Sequence, residues 1–83
     1  MECAERDRMV LSILDPGDRA KIEMTVDEVL EDGPADIPQA LYATAAAAAF
    51  DSRAESLPDD EKIVAWQVAA ALRERVNPPS PPH

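Results

Sequence analysis

The run PDDEKIVAWQVAAALRERV, Pro58 to Val76, decides the fold. It opens on a proline and three acids, where a helix N-terminus favours negative charge, and closes on Arg73 and Arg75, where the C-terminus favours positive charge. Nothing inside it breaks a helix. At about 100° per residue, Val64, Val68, Leu72 and Val76 form one apolar stripe, widened by Ala65 and Ala69. Ile63, Trp66 and Ala70 form a second stripe on roughly the opposite side. A helix apolar on two sides is either central in its own fold or covered by another chain. Tryptophan is enriched at interface hot spots, so Ile63, Trp66 and Ala70 are the candidate contact of a two-fold symmetric homodimer. The competing reading sandwiches this helix between others of the same chain.

Upstream, the same grammar recurs. Asp15-Pro16-Gly17-Asp18 places an N-cap aspartate before a proline at N1, with a further acid at N3. It opens a helix carrying Ile22, Val26, Val29 and Leu30. That helix is expected to end at Gly33-Pro34, with Gly33 in the left-handed C′ conformation. Thr25-Val26-Asp27-Glu28 has the form of a capping box, so a break near Met24 is the alternative to one continuous helix. Before it, Glu2 to Leu14 forms a first helix with Cys3, Val10, Ile13 and Leu14 on one side.

Asp36-Ile37-Pro38-Gln39 is read as another cap, opening a third helix that reaches about Ser56. It carries Leu41, Tyr42, Phe50 and the alanine run Ala45–Ala49. Alanine is the best helix former and lets a neighbouring helix approach closely. Sliding Pro16 onto Pro58 also aligns Ile22 with Val64, Met24 with Trp66, Val26 with Val68 and Leu30 with Leu72, a faint internal symmetry. Nothing reads as a strand. The expected fold is all-α, a small bundle of four helices arranged as two helical hairpins over residues 1–76. Residues 77–83, ending Pro78-Pro79-Ser80-Pro81-Pro82-His83, are read as a disordered proline-rich tail.

Composition narrows the function. The chain has 83 residues, enough for one domain, and a domain this short buries only about 60–65% of its unfolded surface. Cys3 is the only cysteine and His83 the only histidine, so neither an internal disulfide nor a zinc site can reinforce it. Packing and self-association remain, and oligomerisation is a common remedy for a small core. The early residues Glu2, Arg6, Asp7 and Arg8 do not resemble a secretory signal. The longest apolar stretch, Ala45–Phe50, is too short to cross a membrane. A soluble cytoplasmic protein is the expectation.

With 8 basic and 17 acidic residues the net charge is −9. Such a chain repels nucleic acid, whose binding needs cations against phosphates. The acidity is also local. Between Ile22 and Ser52 there is no lysine or arginine, but there are seven acids: Glu23, Asp27, Glu28, Glu31, Asp32, Asp36 and Asp51. Glu23, Asp27 and Glu31 follow at i, i+4, i+8, where like charges repel. Glu31 and Asp32 sit at a helix C-terminus, where anions are disfavoured. Local stability argues against this arrangement, so a basic partner protein is the expected cause. Glu23, Asp27, Glu28, Glu31, Asp32 and Asp36 form the candidate acidic binding face.

No serine or cysteine has a histidine to activate it, and two glycines cannot build a phosphate loop. No catalytic residue, cofactor or metal is expected. The leading reading is a non-enzymatic interaction module that acts as an inhibitor, antidote or adaptor covering a basic surface. The alternative is a structural homo-oligomer, a dimer through the Trp66 face. A third is a small helical repressor or accessory subunit using Arg73 and Arg75.

Overall fold

The structure, a computed structural model, describes the backbone of residues 3–76 and the side chains of residues 5–76. The proline-rich tail reading and the Cys3 side chain lie outside the described residues. Four helices and no strand are present among them: α1 Cys3–Ser12, α2 Pro16–Glu31, α3 Gln39–Ala54 and α4 Asp59–Val76. The all-α bundle expected from the caps and stripes is the fold. None of these helices is long and apolar enough to cross a membrane.

Local chemistry explains most of the boundaries. The Asp18 N–H donates to Asp15 Oδ1 at 2.8 Å, and Pro16 occupies the first turn, so α2 starts where its cap demands. The helix runs unbroken through Met24. Thr25, instead of opening a second cap, turns its hydroxyl back onto the Lys21 carbonyl at 3.1 Å. α4 begins after Pro58, whose carbonyl accepts the Lys62 N–H at 2.7 Å.

Two expectations at the α2–α3 junction are corrected. Asp36 does not cap α3. Ile37 precedes a proline and is therefore pushed away from helical geometry, so α3 starts only after Pro38, which has φ −56° and ψ 137° and no side-chain cap bond. Asp36 is left in the connecting turn. Gly33 does not adopt the left-handed conformation either, because no described glycine has a positive φ. α2 ends instead by tightening: Gly33 N–H reaches the Leu30 carbonyl at 3.2 Å. Glycine is required there for space. A Cβ on Gly33 would lie 2.8 Å from Tyr42 Cδ2, closer than real Cβ contacts come.

α4 is the shared element, with α1, α2 and α3 all packing on it and α3 most extensively. Its residues Ala65 and Gln67 to Leu72 are all buried, so the helix is covered almost all round. The core joins Ile22, Val26 and Leu30 of α2 to Ala43 and Ala47 of α3 and to Val68, Ala69 and Leu72 of α4. Small residues facing one another let α3 and α4 approach closely. The alanine run divides by face: Ala47 is buried, while Ala45, Ala48 and Ala49 are exposed.

The expected core stripe of α4 holds only in its middle. Val68 and Leu72 are buried and Val76 is partly buried, but Val64 is 50% exposed. Val64 lies near the start of α4, where the other helices do not close over it. The internal symmetry survives only at Val26 with Val68 and Leu30 with Leu72, since Ile22 is buried and Val64 is not.

Candidate interaction surfaces

Two arginine clamps tie the helices to α4. Arg73 donates from Nε and Nη2 to the two oxygens of Asp7 on α1, at 2.7 and 2.8 Å, and from Nη1 to Asp51 on α3 at 2.8 Å. Its hydrogen bonds to Asp7 raise its pKa above the ordinary arginine value, burial opposes this, and Asp51 adds to the rise. Arg6 Nη2 approaches the other Asp51 oxygen at 3.0 Å as a charge contact without an aligned hydrogen bond. The Arg6 guanidinium also lies over the Trp66 ring, 4.9 Å from its centroid. Beside this network Gln67, buried in the apolar body of α4, donates to the Val10 carbonyl of α1 at 3.0 Å.

The second clamp joins α2 to the end of α4. Arg75 donates to Asp27 at 2.8 Å and to Glu23 at 2.7 Å. Arg19 donates to Glu23 at 3.0 Å and also to Glu74. Burial alone would push the Glu23 carboxyl up, but hydrogen bonds from Arg75 and Arg19 outweigh it and hold Glu23 below the ordinary value. Arg73 and Arg75, the cations on which a nucleic-acid reading depends, are thus each engaged by two carboxylates.

The sequence-derived acidic face therefore splits. Glu23 and Asp27 are matched within the chain, Glu23 by Arg19 one turn away and both by Arg75 of α4. Glu28, Glu31, Asp32 and Asp36 are exposed, and none has an ion-pair partner among the described residues. Glu31 is the last residue of α2 and Asp32 its C-cap, and no basic residue occupies the last turn. These acids interleave in sequence with a cleft of about 380 Å³ formed by Leu30, Gly33, Ile37, Pro38 and Tyr42.

The second stripe of α4 is largely closed from within. Ala70 is buried at 2% exposure, Trp66 is partly buried beneath Arg6 and Lys62, and Ile63 stands 36% exposed. Burial from within accounts for Ala70 and, through Arg6 of α1, for part of Trp66, while Ile63 stays exposed.

The larger apolar opening lies elsewhere, at the opposite end of α2 from the unpaired acids. It is a groove of about 840 Å³ between Ile13 and Leu14 after α1, Phe50 and Leu57 at the end of α3, and Val64 and Val68 of α4. Lys21, Arg53, Asp18, Asp60 and Glu61 also line it. No single stripe announces this groove, because its lining comes from separate segments. Among the described residues no three cysteine, histidine or carboxylate side chains converge as a metal-binding set. Comparison of the chain with protein-family models, curated proteins and solved structures returns no match, so its surfaces carry the functional reading.

Proposed function

We propose that this chain is a non-enzymatic interaction module that covers a basic surface of a partner protein with the acidic end of α2, as an inhibitor, antidote or adaptor does. The observation that carries the reading is the placement of unpaired acids at the C-terminal end of α2. Acids along the middle of the fold, Asp7, Glu23, Asp27, Asp51 and Glu74, each contact an arginine. Glu28, Glu31, Asp32 and Asp36 have no such contact, although they sit at or just beyond a helix end whose dipole disfavours them. Asp15, Asp18, Asp59, Asp60 and Glu61 are also without an arginine, but they open α2 and α4, where the helix dipole favours an acid, whereas Glu28, Glu31 and Asp32 close α2, where it does not. A basic partner would supply the missing cations and speed encounter. The adjoining cleft offers Ile37 and Tyr42 as apolar contacts for the stems of those cations.

The test is affinity capture from the source cells with immobilised wild-type protein and with the variant E28K/E31K/D32K. The wild type is expected to retain a basic protein that salt releases, and the variant is expected to lose it while keeping its helical circular dichroism. Retention of the same proteins by both chains would overturn the reading.

A further inference from the structure

We infer that α1 is a separable strap, latched to α4 by polar contacts, which undocks as one unit while α2, α3 and α4 stay folded. None of Glu28, Glu31, Asp32 and Asp36 takes part, so the strap is independent of the acidic-end reading.

α1 brings little apolar burial to the fold. Among its described side chains only Val10 is buried, and Val10 is not part of the core that joins α2, α3 and α4. Met9, on the same helix, stands 61% exposed. α1 packs chiefly on α4, and what holds it there is polar. Arg73 grips both oxygens of Asp7 at 2.7 and 2.8 Å, Gln67 donates to the Val10 carbonyl at 3.0 Å, and Arg6 lies over Trp66. Each of these groups can turn to water when α1 leaves, so the net gain from docking is modest. The apolar side chains that fix α2 and α3 have no such alternative.

Docking also leaves polar groups poorly served. Arg6 Nε, Arg6 Nη2 and Asp51 Oδ1 are closed off from solvent without a hydrogen bond, a cost that release removes. Gln67 is the buried polar side chain of α4. An apolar residue suits a helix face that is always closed; a glutamine suits one that also meets water. Across the hinge, α2 needs nothing from α1 to begin, because Asp15 caps it through the Asp18 N–H and Pro16 opens its first turn. Leu14 packs against the core and anchors the chain there. Release bares Gln67 and the side of the Trp66 ring beneath Arg6, and it leaves Arg73 with Asp51. At 10 residues α1 is too short to persist as a helix alone, so its amides report the event.

Native-state hydrogen exchange of the full chain, followed by NMR at low urea where reclosing outruns exchange, reads the opening. The helix-bonded amides of α1 are expected to exchange together, at least roughly 100-fold faster than those of Val68 to Leu72 and with a weaker dependence on urea. Two mild variants separate local from global opening. Ala48→Gly, at an exposed site on α3, weakens the three-helix body. It should speed exchange of the Val68 to Leu72 amides about two- to fivefold and leave α1 unchanged. Asp7→Asn weakens the docked state, from which both openings start, so it should speed α1 and core amides alike, by roughly tenfold. Equal acceleration of α1 and core by Ala48→Gly would mean one opening for all four helices and overturns the strap. So does α1 exchange that is graded inward from its first residue and indifferent to Asp7→Asn, which is the fraying of a chain end.

Discussion

Replacing Gly33 by alanine sets two effects of opposite sign against each other, and the structure says which wins. Gly33 has no positive φ. On backbone grounds alone, alanine should stabilise the domain by about 0.4–1 kcal/mol, because it narrows the unfolded ensemble. Space argues the other way. The new Cβ would stand 2.8, 3.1 and 3.2 Å from Cδ2, Cε2 and Cγ of Tyr42. Carbon contacts are comfortable only at about 3.5–4.0 Å, so the whole edge of the ring must retreat. That ring packs against the core, and forcing atoms into a packed site costs about 1–3 kcal/mol. The net expectation is a loss of about 1 kcal/mol, a drop in Tm of about 4–8 °C for a domain of this size. Urea unfolding followed by circular dichroism measures it. In a Tyr42→Ala background the obstacle is gone, and the same substitution should become neutral or stabilising. A Gly33→Ala protein as stable as wild type, with Tyr42 present, would refute the reasoning.

Three further outcomes follow from the core and the clamps. Leu72 is fully buried, so Leu72→Ala should cost about 2–5 kcal/mol, while Leu41→Ala at a 61% exposed site should change stability by less than about 0.5 kcal/mol; urea titration separates the two. Arg73→Met keeps the aliphatic stem but leaves Asp7 and Asp51 without their shared cation, and thermal melts should show a loss of about 1–3 kcal/mol. Glu23 is held below its ordinary value of 4.5, so its stabilisation is present at neutral pH and is lost as pH falls through its folded-state pKa. Glu23→Gln should therefore be less stable than wild type at pH 7 by under about 1 kcal/mol, given the solvent exposure of the pair. The gap should shrink as the pH falls below 4.5 and close once it has passed the folded-state pKa of Glu23. A gap that widens on acidification would contradict the clamp.

The helices were legible because their signals are local. Asp15 with Pro16, the acids after Pro58 and the arginines before Val76 each act within one turn, and Val26, Val68 and Leu72 follow the helical period. Legibility failed where the deciding contact is distant. Asp27 looked uncompensated because Arg75 lies on α4, and only the fold brings it across; Glu23 had a local partner as well, Arg19 one turn before it. Val64 follows the period of Val68 and Leu72, yet it lines an open groove where α2 and α3 do not close over it. Ala70 and Trp66 could be read as an open or a covered face, because nothing in α4 reveals that the fold buries Ala70 or that Arg6 of α1 lies over Trp66. One local clue did exist: Gln67, a polar residue amid the apolar centre of α4, called for a buried partner, which the Val10 carbonyl provides. At Gly33 the identity of the residue was informative but its cause was not, since the crowding comes from Tyr42 on the next helix.

The acidic end of α2 offers the most direct test of the central claim, because the account ties stability and binding there in opposite directions. Glu31 and Asp32 occupy the end of a helix with no basic residue in its last turn, and each misplaced charge is worth about 0.3–1 kcal/mol. Reversing Glu28, Glu31 and Asp32 to lysine should raise the stability of the free domain by about 1 kcal/mol. The measurement is the affinity of wild type and of E28K/E31K/D32K for the captured basic partner, taken at low and moderate salt beside their melting temperatures. The account predicts a more stable variant that no longer binds, and a wild-type affinity that falls with salt. A variant that binds as tightly as wild type would contradict it.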